Sequence, residues 1–168
     1  ILVASVLSVL MSAESVYAQD FEEGTLELIV VSSNSLLIYS LAKSVAHWVL
    51  TFLPLILMVP LMGIGLFLDV DQIRVLCFGI LLISPTITLL ASIGAAITIC
   101  LPRNGVLIAI LVLPFYLPPM VFVTGLFEAE SLGQDVSPYV YWLTGLLLLA
   151  LGLAPLATSA CLRIAAED

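Results

Sequence analysis

Apolar positions run almost without interruption through four stretches of the chain: Leu41 to Leu68, Ile73 to Leu101, Val106 to Phe127 and Tyr139 to Ile164. Each exceeds the roughly 20 residues that a helix needs to cross the hydrocarbon layer of a bilayer. The period-two alternation of a transmembrane barrel strand is missing, so the pattern predicts helices, whose backbone groups satisfy one another inside lipid. Turn-forming residues separate the tracts, namely Asp69-Val70-Asp71, Pro102-Arg103-Asn104-Gly105 and the polar stretch from Glu128 to Pro138. The expected fold is all-α, a polytopic transmembrane helical bundle in one domain over 1–168. It comprises a partial span 1–13, a segment 14–40 outside the lipid, and spans near 41–68, 73–101, 106–127 and 139–164.

The first apolar tract, Ile1 to Ala13, is too short to cross. It reads either as the core of a signal peptide, with Val16-Tyr17-Ala18 resembling a cleavage site, or as the end of a longer helix. Glu14 inside the would-be cleavage region and the lack of a preceding basic stretch favour the second reading.

Composition agrees with a membrane protein. Of 168 residues 62% are apolar and only 10% charged, against about 45–50% and about 25% in soluble domains. A water-soluble enzyme and a disordered tail are both excluded. Four Lys+Arg against 12 Asp+Glu give a net charge of −8, which leaves no basic surface for nucleic acid. Lys43, Arg103 and Arg163 fall on one side of the membrane and Arg74 on the other, which points the first side to the cytoplasm. That arrangement places the 14–41 stretch, the 102–105 loop and the carboxyl terminus inside. Cys77, Cys100 and Cys161 lie in apolar runs without metal-type spacing and read as small apolar residues.

The chemistry concentrates between residues 14 and 27. Tyr17 and Phe21 stand four apart and share a helical face with Val16, while Glu14, Asp20, Glu22 and Glu23 supply the polar side. Gly24 is a natural helix stop, Thr25 can cap the next helix, and Glu27 suits the positive end of its dipole. This predicts a short amphipathic helix at the cytoplasmic surface. Surface helices that rest on lipid are basic, yet this one carries five acids and no base before Lys43. It is either a solvated connector or a docking element for a cytoplasmic protein.

Beyond it, Lys43, His47 and Trp48 form a compact group. One reading is an interfacial belt: Lys43 snorkels, Trp48 sits at headgroup depth and His47 bonds a neighbour. The other makes His47, the single histidine, an axial haem ligand; no second ligand is in view, which favours the belt. Seven of the nine prolines lie inside apolar tracts. Each can kink its span, and the kinks read either as packing against neighbours, the favoured reading, or as a moving gate; Pro114, Pro118 and Pro119 fall together, so a break of the 106–127 tract that re-enters as short helices is also open. Ala91 and Ala95, with Ser92 and Gly94, form a small-residue face suited to close packing. Ionisable residues occur only near the ends of the tracts, and no zinc spacing, Ser/Lys pair or paired aspartates are present. That argues against intramembrane catalysis and against a proton- or sodium-coupled carrier.

The pattern Glu14-x2-Tyr17-x2-Asp20-x3-Gly24-Thr25-Leu26-Glu27 resembles the cytoplasmic signature of the CcmB family, the membrane subunit of the haem exporter in cytochrome c maturation. The resemblance continues through Ala42-Lys43-x3-His47-Trp48, Asn104-Gly105-Val106-Leu107, Leu111-x-Leu113-Pro114, Pro118 and Phe122. It ends with Ala154-Pro155-x-Ala157-Thr158 and Leu162-Arg163-Ile164. It implies a six-span permease of ABC-2 type whose first span is missing here. It also implies a cytoplasmic CcmA-type ATPase as partner, the membrane proteins CcmC and CcmD, the haem chaperone CcmE, and two copies of this subunit in each complex. Glu14, Tyr17, Asp20, Phe21, Glu23, Gly24, Leu26 and Glu27 would then couple the membrane subunit to the ATPase. The chain has no phosphate-cradling G-x4-GK-[ST] loop of its own, so ATP belongs to the partner. No bound cofactor or metal is expected; haem enters as a transported or relayed substrate. The expected location is the bacterial inner membrane, or the mitochondrial inner membrane in an organellar setting. The competing readings are an ABC-2 permease for lipid, polysaccharide or drug, and a scaffold with no coupled ATPase.

Overall fold

The computed structural model describes residues 35–97 and 105–167, together with Tyr17, Asp20, Phe21, 23–25 and Leu28; side chains 105–113, 166 and 167 are outside this description. Four long helices carry the fold: α1 (Leu36–Gly65), α2 (Val70–Ile97), α3 (Gly105–Ser131) and α4 (Ser137–Glu167). At about 1.5 Å per residue each exceeds the roughly 30 Å of a bilayer core. Among the described residues α1, α2 and α4 are long and apolar enough to cross. This is a multi-pass helical membrane protein.

Helix α2 is the hub, packed against α1, α3 and α4, while α4 also meets α1 and α3. More than half of its apolar window is enclosed, against less than a fifth of that of α1. Its inward residues explain why. Gly79, Ala91, Gly94, Ala95 and Ala96 let neighbouring backbones approach, and the buried hydroxyls of Ser84, Thr86, Thr88 and Ser92 bond to helix carbonyls or to partner helices. The small-residue face expected at Ala91 and Ala95 is buried as a consequence. The main core joins Phe52 of α1, Ile83, Ile87 and Ala91 of α2, Tyr116, Val123 and Leu126 of α3, and Leu143 of α4.

The break left open at Pro114, Pro118 and Pro119 does not occur: α3 is one helix through all three prolines. Each proline costs about 3 kcal/mol in a helix interior, but irregular backbone in lipid leaves several polar groups unsatisfied at comparable cost each. Neighbours also hold the helix in place. Tyr116 is buried and its hydroxyl donates to the Ile87 carbonyl of α2 at 3.2 Å. Pro138 likewise lies inside α4, in its first turn, where a missing N–H is harmless.

The turns obey local rules. After α1 the Leu68 amide returns to the Gly63 carbonyl at 3.1 Å, with Phe67 at φ 56°. After α3 the Gln134 amide returns to the Ala129 carbonyl at 2.8 Å, and Gly133 supplies φ 65° at no steric cost. Asp69 starts α2 with its amide bonded to the Gln72 side chain at 3.1 Å.

Candidate coupling site

Tyr17, Asp20 and Phe21 are helical, Glu23 and Gly24 form a turn, and Thr25 and Leu28 are helical again. Gly24 stops the first turn as its type suggests: its φ is +69°, and its amide bonds the Phe21 carbonyl at 3.2 Å. The Leu28 amide bonds the Gly24 carbonyl at 3.4 Å, so the next helical turn starts from Gly24 rather than from Thr25. Glu14, Leu26 and Glu27 lie outside the described residues.

The segment presents two sides. Tyr17 is wholly enclosed (0% exposed), packed on Ala95 and Ala96 of α2 and Leu162 of α4, with Tyr39 of α1 beside it. Asp20 accepts hydrogen bonds from the Lys43 ammonium and the Tyr39 hydroxyl, both of α1. Phe21 (37% exposed) and Leu28 (70% exposed) face outward with Glu23. Tyr17 and Phe21 therefore do not share one environment, although they stand four apart. The enclosed aromatic belongs to this chain's own core, and the exposed apolar pair lies on the other side.

The Lys43 ammonium is paired with Asp20 and lies 5.7 Å from the ring centroid of Tyr17 and 5.6 Å from that of Tyr39. A carboxylate and two aromatic faces in a partly dry setting hold the cation better than water at a distance does. Burial works against ionisation of Asp20, but the hydrogen bonds from Lys43 and Tyr39, with the charge of Lys43, outweigh it and hold the carboxyl below its usual range. Burial pushes the Tyr17 hydroxyl above the ordinary tyrosine value.

Trp48 and His47 lie further along the same helix as Lys43. The indole N–H of Trp48 donates to Ser84 Oγ of α2 at 2.9 Å. His47 bonds no neighbour; its Nε2 is buried without a hydrogen-bond partner among the described residues. No group of His, Cys, Asp or Glu suited to a metal ion occurs among the described residues. Reasoning from sequence missed Leu28 on the exposed side and Tyr39, Ser40 and Thr158 on the enclosed side. The usable signals were the four-residue spacings Tyr39–Lys43 and Ser40–Ser44, which place an aromatic–cation pair and two hydroxyls on helical stripes of α1.

The sequence profile of the CcmB protein family matches residues 1–165. Heme exporter protein B of Pseudomonas aeruginosa is 41% identical over 166 residues, covering 99% of this chain and 74% of that protein. The proteins of the same name from Haemophilus influenzae (36% over 166 residues, 99% and 75%) and Escherichia coli K12 (38% over 165 residues, 98% and 75%) are similar along the same length. With the family profile matching residues 1–165 and these relatives aligned over nearly all of the chain, this helical bundle belongs to the CcmB family.

Proposed function

We propose that this chain is the membrane subunit of the ATP-driven haem-export complex of cytochrome c maturation, and that it couples a cytoplasmic ATPase to the membrane part of that complex. Family membership over residues 1–165 carries the reading; the two-sided amino-terminal segment supports the coupling role. Its enclosed side, Tyr17 and Asp20, fastens it to α1, α2 and α4, and its exposed side, Phe21, Glu23 and Leu28, is what a cytoplasmic protein meets. Glu14, Leu26 and Glu27 complete the proposed coupling group.

The partners in this reading are a CcmA-type ATPase in the cytoplasm, CcmC and CcmD in the membrane and the haem chaperone CcmE, with two copies of this ABC-2 type subunit in the bacterial inner membrane. ATP hydrolysis is the partner's chemistry, and this chain is non-catalytic. Haem is cargo rather than a resident cofactor. The apolar interior of the spans, without ionisable groups at depth, supports transmission of work over carriage through the subunit.

Photo-crosslinkers at Phe21 and Leu28 test the coupling role in the assembled complex. Capture of the ATPase from both positions, together with loss of its co-purification on Phe21→Asp or Leu28→Asp, is the expected result. Capture of lipid alone with the ATPase retained in both variants removes this segment from the interface. ATP-dependent haem movement into vesicles without the haem-handling partner favours passage over transmission.

A further inference from the structure

Tyr17 stands where three helices meet. Its ring fills the space between Ala95 and Ala96 of α2 and Leu162 of α4, and its hydroxyl donates to the Ser40 carbonyl of α1 at 3.4 Å. Buried hydroxyls continue from there. Ser40 Oγ bonds the Leu37 carbonyl at 3.0 Å and reaches the Pro155 carbonyl of α4 at 3.5 Å. Ser92 Oγ of α2 and Thr158 Oγ1 of α4 are 3.3 Å apart. All four hydroxyl residues, Ser40, Ser44, Ser92 and Thr158, are buried. Polar atoms in so dry a place are costly unless paired, so the cluster holds its geometry.

We propose that Tyr17 is a positioning residue, the joint through which displacement of the amino-terminal segment is carried into α1, α2 and α4 together. The inference rests on the coupling reading above and assigns Tyr17 to transmission rather than to the docking surface. Asp20 and its partners Lys43 and Tyr39 tie the segment to α1 alone; a push delivered only through them moves one helix. Tyr17 touches all three. Close-packed interiors are poorly compressible, so a force on Phe21 and Leu28 displaces an enclosed ring only by displacing the helices around it. The switch is then a rigid-body one, biased at its cytoplasmic end.

The test uses the intact complex with its ATPase in lipid nanodiscs, its native cysteines replaced, and spin labels on Val45→Cys of α1 and Leu156→Cys of α4. Both sites are exposed, at 54% and 55%. Distances are measured without nucleotide and with ATP trapped by vanadate. The unmodified complex is expected to show a nucleotide-dependent shift. Tyr17→Ala should keep the resting distance, the co-purified ATPase and its hydrolysis, yet lose the shift and with it cytochrome c maturation. Tyr17→Ala with shift and maturation retained overturns the joint. So does loss of the ATPase in that variant, which would make Tyr17 part of the dock, and so does an unmodified complex that hydrolyses ATP without any shift. If Tyr17→Ala fails to assemble, Tyr17→Leu refills most of the space without the hydroxyl: shift lost with hydrolysis retained supports the joint, and shift retained overturns it. A preparation with no nucleotide-hydrolysing partner at all defeats the coupling reading instead.

Discussion

Breaking the Asp20–Lys43 pair should loosen the amino-terminal segment by an amount the structure bounds. The two side chains keep 21% and 25% exposure, which sets the pair between a surface ion pair, worth about 0–1 kcal/mol, and a buried one, whose disruption costs about 3–5 kcal/mol. Asp20 also accepts the Tyr39 hydroxyl, and hydrogen bonds to charged groups contribute about 1.5–3 kcal/mol. Asp20→Ala is therefore expected to destabilise attachment by about 2 kcal/mol, a roughly 30-fold rise in the detached population. Lys43→Met should cost a similar amount. The double variant should cost little more than either single, because each single already removes the shared interaction. Amide hydrogen exchange over the peptide containing Tyr17 and Asp20 reads this directly, since protection there scales with the attached population. Costs that add in the double variant, or exchange that matches the unmodified protein in all three, would refute the assignment of this pair as the fastening.

Acid should act through the same carboxylate. Its attached-state pKa is lowered, so its contribution is fully present above the detached value of about 3.9 and is lost as pH falls through the attached value. Protection corrected for the intrinsic exchange rate should be flat near neutrality and fall under acid, with the acid step missing in Asp20→Ala. Gly125→Ala puts a Cβ 2.4 Å from Tyr139 Cε1, an overpacking expected to cost about 1–3 kcal/mol in thermal unfolding; Gly145→Ala, with nothing within 4 Å, should be neutral. Trp48→Phe and Ser84→Ala each remove the one α1–α2 bond they share, worth about 0.6 kcal/mol in a membrane protein, and the double variant should melt like either single. His47→Ala should leave the haem absorbance of the purified complex unchanged; loss of the Soret band would make that imidazole a ligand.

The long helices were legible because continuous apolar runs admit few alternatives in lipid, while their ends were less so. α1 starts at Leu36, five residues before the apolar tract, because Tyr39 and Ser40 look polar in sequence but face inward, where both find partners. The prolines of α3 left a break open for the opposite reason: local propensity allows one, but packing against α2 and the cost of bare backbone override it. At the coupling segment, amphipathicity was readable and its direction was not. An apolar stripe with acids beside it fits a partner's cleft or the chain's own bundle equally well. The residues that decide between them, Lys43, Ala95, Ala96 and Leu162, lie far along the chain.

That division of labour within one short segment bears on how such a subunit does work. In the proposed coupling, hydrolysis by the ATPase reaches the far leaflet only through elements that move as units, and the contacts here define such units. Tyr17 and the Ser92–Thr158 contact bind the carboxyl-terminal parts of α2 and α4 together. Higher in the bundle, Trp48 ties α1 to α2 and Tyr116 ties α3 to α2. Every one of these links ends on α2 or passes beside it, so α2 cannot tilt without its neighbours. A bundle built this way has no need of charged residues at depth to sense the ATPase. In the proposed reading the input is steric and arrives at the enclosed ring of Tyr17, and the response is a change in the angle between packed helices. Substitutions on the lipid-facing surface of α1, where Leu50, Leu57 and Leu61 are exposed, should therefore leave coupling untouched, whereas changes of a single methyl at the α2 seam should not.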